Sequence, residues 1–405
     1  MKIILKTLLF ILTVIFIIHC KKEPYLSEDV IIPDINISDN NFLNALIEQG
    51  VDANEDSIIS SLEAKVLTSL FVHNRDISSM EGIEAFVNLD TLWCQNNRLT
   101  CLDVSNITSL KYLECDGNQL INLDVSNNTS LIVFCCNENQ LSSLDIFNNT
   151  TLKILDCGGN QLTSLDVSIN YALELLSCYN NHLSNLDVSS NTNLKILDCN
   201  YTHLTSLDVS KNSVLEHLSC GGTQLSNLDV SNNIALKELM CFRNQLTYLN
   251  ISKNTALIEC SCNETQLTSL DVSNNTSLKY LYCNINHLTS LDVSKNSVLE
   301  RLGCSSNQLT ILNVSNNTSL RFLSCISNQL TTLDISNNHA LGSLSCGSNQ
   351  LTTLDISNNK LLYWLYLVQM PSLNKVCVWE MPFPPASVLL NTTGSPNIFF
   401  TTSCN

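Results

Sequence analysis

Nineteen cysteines in 405 residues are the side chains best able to do chemistry in this sequence. Thirteen of them stand at 94, 115, 136, 157, 178, 199, 220, 241, 262, 283, 304, 325 and 346, every step 21 residues. A column of thiols admits three readings: disulfides, metal ligands, or small buried hydrophobes with no chemistry at all. The number is odd, and side chains stacked in register point the same way, which suits a disulfide torsion poorly. The sites also share the apolar phase of neighbouring leucines. Apolar filler is therefore the expected role, and burial would deny oxidants access. Cys377 and Cys404, both beyond the column, are a better candidate disulfide. Cys101, Cys135 and Cys260 fall outside the column and carry no role the sequence defines.

A second set of candidate ligands lies earlier. Asp52, Asn54, Asp56, Ser60 and Glu63 place oxygens at positions 1, 3, 5, 9 and 12 of one loop, and Ile58 can offer a backbone carbonyl at position 7. This spacing resembles the EF-hand loop and implies a structural Ca²⁺. The sequence departs at Ser57, where that family has glycine for the turn. The alternative is an acidic helix-capping loop without metal. Phe42, Leu43, Leu46 and Ile47 before the loop have helical spacing, so residues 41–66 are expected to form a helix-loop-helix cap.

Other polar columns keep the 21-residue step. Asp103 heads eleven aspartates, with Asn250 and Asn313 as substitutes. Like charges ~4.8 Å apart in water repel by about 0.9 kcal/mol per pair. The column must face water and bond nearby amides, or else bind cations. One asparagine column begins at Asn97, interrupted by Thr202, Thr223 and Thr265, and a second runs from Asn128 to Asn359. Their amides are expected to bond backbone groups at the bends. His182 and His203 stand one coil apart in a column of glutamines, where exposed polar filler is a simpler account than metal ligation.

These columns require an element that repeats every 21 residues. Leu99, Leu102 and Leu110 recur in all thirteen units. The spacing Leu-x-x-Leu-x-Cys-x-x-Asn-x-Leu resembles the leucine-rich repeat, with cysteine where leucine is usual. The half-unit Leu-x-x-Leu-Asp-Val-Ser is similar to 21-residue repeats of bacterial exported proteins. Segment 70–89 resembles the first coil of internalin-type proteins. The resemblance implies a right-handed leucine-rich-repeat solenoid that presents a surface to a protein or glycan. Alternation in Leu92-Trp93-Cys94 and Leu102-Asp103-Val104 predicts two short parallel strands on opposite sides of each coil. Stacking would bury leucines that no single coil could bury. The solenoid is expected over 67–366, with a C-terminal cap over 367–405 where Pro382, Pro384 and Pro385 stop regular structure.

The first twenty residues are a targeting segment. Lys2 and Lys6 precede an apolar run that is too short to span a bilayer, and the run ends at Cys20. This resembles a bacterial lipoprotein signal, although His19 stands where that family prefers a small residue. The resemblance implies lipidation of Cys20, a linker over 21–40, and an exported protein anchored at the outer membrane or cell surface. Net charge is −17, which excludes nucleic acid as a partner and leaves membrane contact to the lipid anchor.

No phosphate loop, His-Glu-x-x-His or Gly-x-Ser-x-Gly occurs, so no enzyme is expected. Function on such a scaffold falls to the variable outward positions. These include Trp93, Tyr112, Asp156, Tyr179, Asp198, Tyr201, Met240, Phe242, Tyr280, Tyr282 and Phe322. Aromatic side chains with scattered acids suit a partner-binding face. A structural envelope component, braced by Ca²⁺ and without a specific ligand, is the alternative.

Overall fold

The computed structural model describes residues 34–404. Cys20, with the signal-like segment and most of the linker, lies outside the described residues. The N-terminal cap consists of α1 (Asn40–Glu48) and α2 (Ser61–Val66) around the acidic loop. Asp39 starts α1 by accepting the N–H groups of Asn41 and Phe42. At α2, Ser60 and Glu63 satisfy each other's backbone donors in a capping box. Phe42, Leu46 and Ala64 are fully buried in the core that continues into the first coil.

From Ser69–Phe71 onward, each coil contributes one three-residue strand. Sixteen such strands pair in parallel as a single sheet. The register sets Leu92 beside Leu113 and Leu113 beside Phe134, so like residues stack on like. At ~4.8 Å per step the sheet runs about 70 Å. The central strand leucines from Leu92 to Leu365, the ladder cysteines and the Leu99-type residues are all fully buried.

The structure corrects one expectation. The second leg, Leu102-Asp103-Val104 and its equivalents, is not a strand in most coils. Asp103 turns its carboxylate onto the Ser105 N–H at 2.9 Å, and the twelve further Asp or Asn residues in this column do the same to the residue two ahead. Asp355 makes the same bond within a paired strand, so the bond by itself does not prevent pairing. Neighbouring coils share single bonds nearby, such as Gln119 N–H to the Leu99 carbonyl at 2.8 Å. A second sheet forms only at the C-terminal end, from Thr353–Asp355, Lys375–Cys377 and Phe399–Thr401. There Val376 and Phe400 supply strand-favouring side chains.

The main sheet also runs past residue 366. Its last strand is Leu389–Asn391, so the C-terminal segment extends the solenoid as well as closing it. Cys377 and Cys404 are joined as a disulfide with Cα atoms 5.5 Å apart.

Each coil turns through a left-handed residue two places after its cysteine. Gly117, Gly159 and Gly222 occupy this site in three coils, but Tyr201 (φ 55°), Arg243 (φ 52°) and Ile285 (φ 54°) do so elsewhere. The two asparagine columns satisfy the bends. Asn118 donates to the Cys94 and Cys115 carbonyls at 3.1 and 3.0 Å. Fully buried Asn233 donates to Val209 and Asn212, both at 2.9 Å.

Candidate functional site

The polar loop before the repeats is held by its own donors. Asp52, only 8% exposed, accepts from Asp56 and Ser57 N–H at 3.2 and 2.9 Å. Asn54 donates to the Asp56 carboxylate, and Asp56 accepts from Ile58 N–H, each at 2.8 Å. Glu63 ties the loop ends together, accepting from Ala53 N–H and Ser60 N–H at 2.8 Å. Ser57 takes the left-handed conformation (φ 63°) that favours glycine. Among the described residues, the only trio of His, Cys, Asp or Glu ligand atoms within 4.8 Å of one another is Asp355 with the Cys377–Cys404 pair. Asp52, Asp56 and Glu63 are not such a trio in this arrangement, in which backbone N–H groups occupy their carboxylates.

The ladder cysteines are free and buried. Burial pushes the thiols of Cys283 and Cys325 up to about 12, and the others are raised as well. They stay protonated and apolar at neutral pH, as filler requires. Cys260 replaces the strand leucine of its coil and is fully buried beside Cys262, whereas Cys101 is exposed.

The outward strand residues form one continuous face, since parallel register keeps each column in line. Tyr280 and Tyr282 occupy alternate positions of one strand, and both are half-buried. Phe322 follows Tyr280 two coils on, with Arg301 between. Met240 precedes Tyr282 by two coils, across Ser261. Phe242 meets Tyr201 edge-on at 5.9 Å and lies over Gly221, where any Cβ would sit 2.5 Å from its ring. Tyr179 lies over Gly158 and donates to Glu138 at 2.8 Å. Trp93 packs edge-on against Phe71 at 4.9 Å, near the N-terminal end. Tyr112 is half-buried between Thr91 and Val133.

Asp156 and Asp198 lie on this face but below its surface, at 4% and 2% exposure. Their column neighbours are small (Cys135, Ser177 and Ser219), yet both acids are covered, so they are not the exposed contacts expected of outward acids. Asp156 accepts from Asn137 at 2.8 Å, and Asp198 from Asn200 N–H at 3.0 Å. Burial raises the Asp156 pKa and lifts Asp198 to about 6. Glu114 is lifted to about 7 by the same cause, and Asp116 well above its ordinary range. Five described lysines instead pair with acids just before the strands, as Lys195 does with Glu174 at 2.7 Å and Lys237 with Glu216 at 2.6 Å. His182 and His203 stack at 5.3 Å in the exposed glutamine column.

The sequence reading passed over Trp364 and Tyr366. They occupy the same two strand columns as Tyr280 and Tyr282, and the 21-residue step from Ser343 reaches Trp364. Extending the phase by one coil would have found them.

The stacked strands, inward leucines and buried cysteine column define a leucine-rich-repeat solenoid. Compared with solved structures, the chain is 36% identical to the functional domain of InlJ from Listeria monocytogenes, a structure described as including a cysteine ladder. That match covers 84% of this chain and 76% of the other, with a TM-score of 0.78. The chain thus belongs to the internalin-type leucine-rich-repeat proteins. An internalin, InlF, from the same organism shares the fold at 21% identity and TM-score 0.71, over 75% of this chain and 94% of that one. A leucine-rich-repeat protein of Leptospira interrogans matches at 26% identity and TM-score 0.61, over 77% of this chain and 78% of that one. No protein-family model and no curated protein sequence matches the chain. Among the described residues no helix is long and apolar enough to cross a membrane.

Proposed function

We propose that the strand face is a protein-recognition surface on a non-catalytic scaffold. The observation that carries this reading is the run of Tyr201, Phe242, Tyr280, Tyr282 and Phe322 on one sheet-held face. Such rings give rigid contact area at low entropic cost, and the backbones of Tyr280, Tyr282 and Phe322 are fixed in the sheet before any partner arrives. Membership of the internalin-type family supports the same reading. An array of extracellular-matrix proteins probed with the full chain tests it. Replacing both Tyr280 and Tyr282 by Ser should weaken the strongest interaction about 30-fold or more, if the pair anchors it at ~2 kcal/mol. Unchanged binding would remove the patch from the interface. Absence of any partner, with protection from protease on intact cells, would favour a structural envelope role.

The chain is further proposed to be exported and held at the envelope by lipid on Cys20. Equal palmitate labelling of wild type and Cys20→Ser would sink that anchor. For the cap loop we propose a structural Ca²⁺ on donor chemistry: Asp52, Asn54, Asp56, the Ile58 carbonyl, Ser60 and Glu63 offer only oxygens to a hard cation. Melting curves that coincide in Ca²⁺ and in chelator would retire it.

A further inference from the structure

The strand face dips where its side chains are smallest. Ser343, Ser345 and Gly347 form one coil between Phe322 and Ser324 on one side and Trp364 and Tyr366 on the other. Gly347 lets the next coil pack close, because a Cβ there would fall 2.7 Å from the Val368 carbonyl oxygen. The result is an open-mouthed cavity of about 570 Å³, of small-ligand size.

Its lining is unlike the rest of the face. Trp364, 40% exposed, and Tyr366 stand on the same side of one strand, ~6.6 Å apart. Ser345, Gln369, Asn391 and Thr393 supply hydroxyls and amides around them. No Asp, Glu, Lys, Arg or His lines the cavity, in a chain of net charge −17. A charged ligand would lose hydration there with no counter-charge to replace it. A wholly apolar ligand would strand the hydroxyls and amides. The matching chemistry is neutral, rich in hydroxyls that both donate and accept, and apolar on one ring face.

We propose that this cavity binds a neutral saccharide. A sugar ring stacks on Trp364 and Tyr366, and its hydroxyls exchange hydrogen bonds with Ser345, Gln369, Asn391 and Thr393. Proline-rich peptides also dock on aromatic grooves, but they would leave most of these polar groups without partners. The site lies beyond the Tyr280/Tyr282 patch and stands whether or not that patch binds protein.

The test is titration of the full chain with maltotriose, cellotriose and triacetylchitotriose, each to about 10 mM, and with a proline decapeptide. Isothermal calorimetry gives affinity, and Trp fluorescence reports on the ring. At least one trisaccharide should saturate. Trp364→Ala should weaken it at least tenfold and Tyr366→Ser measurably, whereas Tyr171→Ala, at an exposed ring many coils away, leaves it unchanged. Circular dichroism matched to wild type keeps the variants interpretable. Saturation by none of the three sugars overturns the proposal. So does sugar binding indifferent to both ring variants, or binding of the decapeptide alone.

Discussion

Replacing Asn233 by Ala tests what holds the coils in register. Asn233 is fully buried and donates to two carbonyls, Val209 and Asn212, at 2.9 Å each. Both carbonyls also accept one backbone N–H, from Asn212 and Leu215 respectively, so neither is orphaned by the change. Each lost bond then costs about 1 kcal/mol rather than a full desolvation penalty. The side-chain oxygen, which has no partner, leaves at the same time and offsets part of the loss. The net is about 1–2 kcal/mol of destabilisation. Asn233→Asp should be worse, about 3 kcal/mol or more near pH 7, because it turns a buried charge toward two carbonyl oxygens. Adjacent Asn232 is exposed and reaches the Ser210 carbonyl at only 3.3 Å, so Asn232→Ala should cost under about 0.5 kcal/mol. Guanidinium unfolding followed by circular dichroism, with native-state hydrogen exchange over residues 200–260, measures all three. Because repeats couple mainly to neighbours, the loosening should centre on those coils. Equal effects of Asn232→Ala and Asn233→Ala, or an Asp variant as stable as the Ala one, would refute the reasoning.

Burial holds Glu114 at about 7 against an ordinary 4.5, so the folded chain binds that proton more tightly than the unfolded chain does. Its stabilising contribution is full below pH 4.5 and is lost as pH rises through about 7, some ~3 kcal/mol in all. Glu114→Gln should flatten that slope in denaturant midpoints taken from pH 5 to 8, and an unaltered slope would count against it. The exposed column acts oppositely: serine hydrogen bonds hold Asp103, Asp124 and Asp208 below 3.8, so their contribution is present above that pH and fades as pH falls further. Ile285→Asn should raise the melting midpoint by relieving a left-handed β-branched residue, a gain of about 1 kcal/mol, since its side chain is 53% exposed and packs little. Cys199→Ser should lower stability by about 1–3 kcal/mol, by placing a hydroxyl in the leucine core, and Cys199→Ala by less. A neutral Ser variant would show that the thiol column is hydrated.

The sequence by itself determined the coil. With leucine, cysteine and asparagine returning every 21 residues, each residue's main neighbours are copies of itself one coil away. Local pattern and tertiary environment then coincide, so the core, the buried thiols and the asparagine bonds at the bends were all legible. Only the structure decided three other matters. The second leg is mostly not a strand: neighbouring coils share single bonds there, such as Gln119 N–H to the Leu99 carbonyl, in place of a ladder. Asp156 and Asp198 share the outward phase of Tyr282 yet lie buried, and Ser345 in the same phase floors a cavity. The physical reason is common to the last two. Coverage at an outward site depends on side chains that reach in from other positions and coils, as Tyr179 does over Gly158, and those positions are variable ones that no repeat rule fixes.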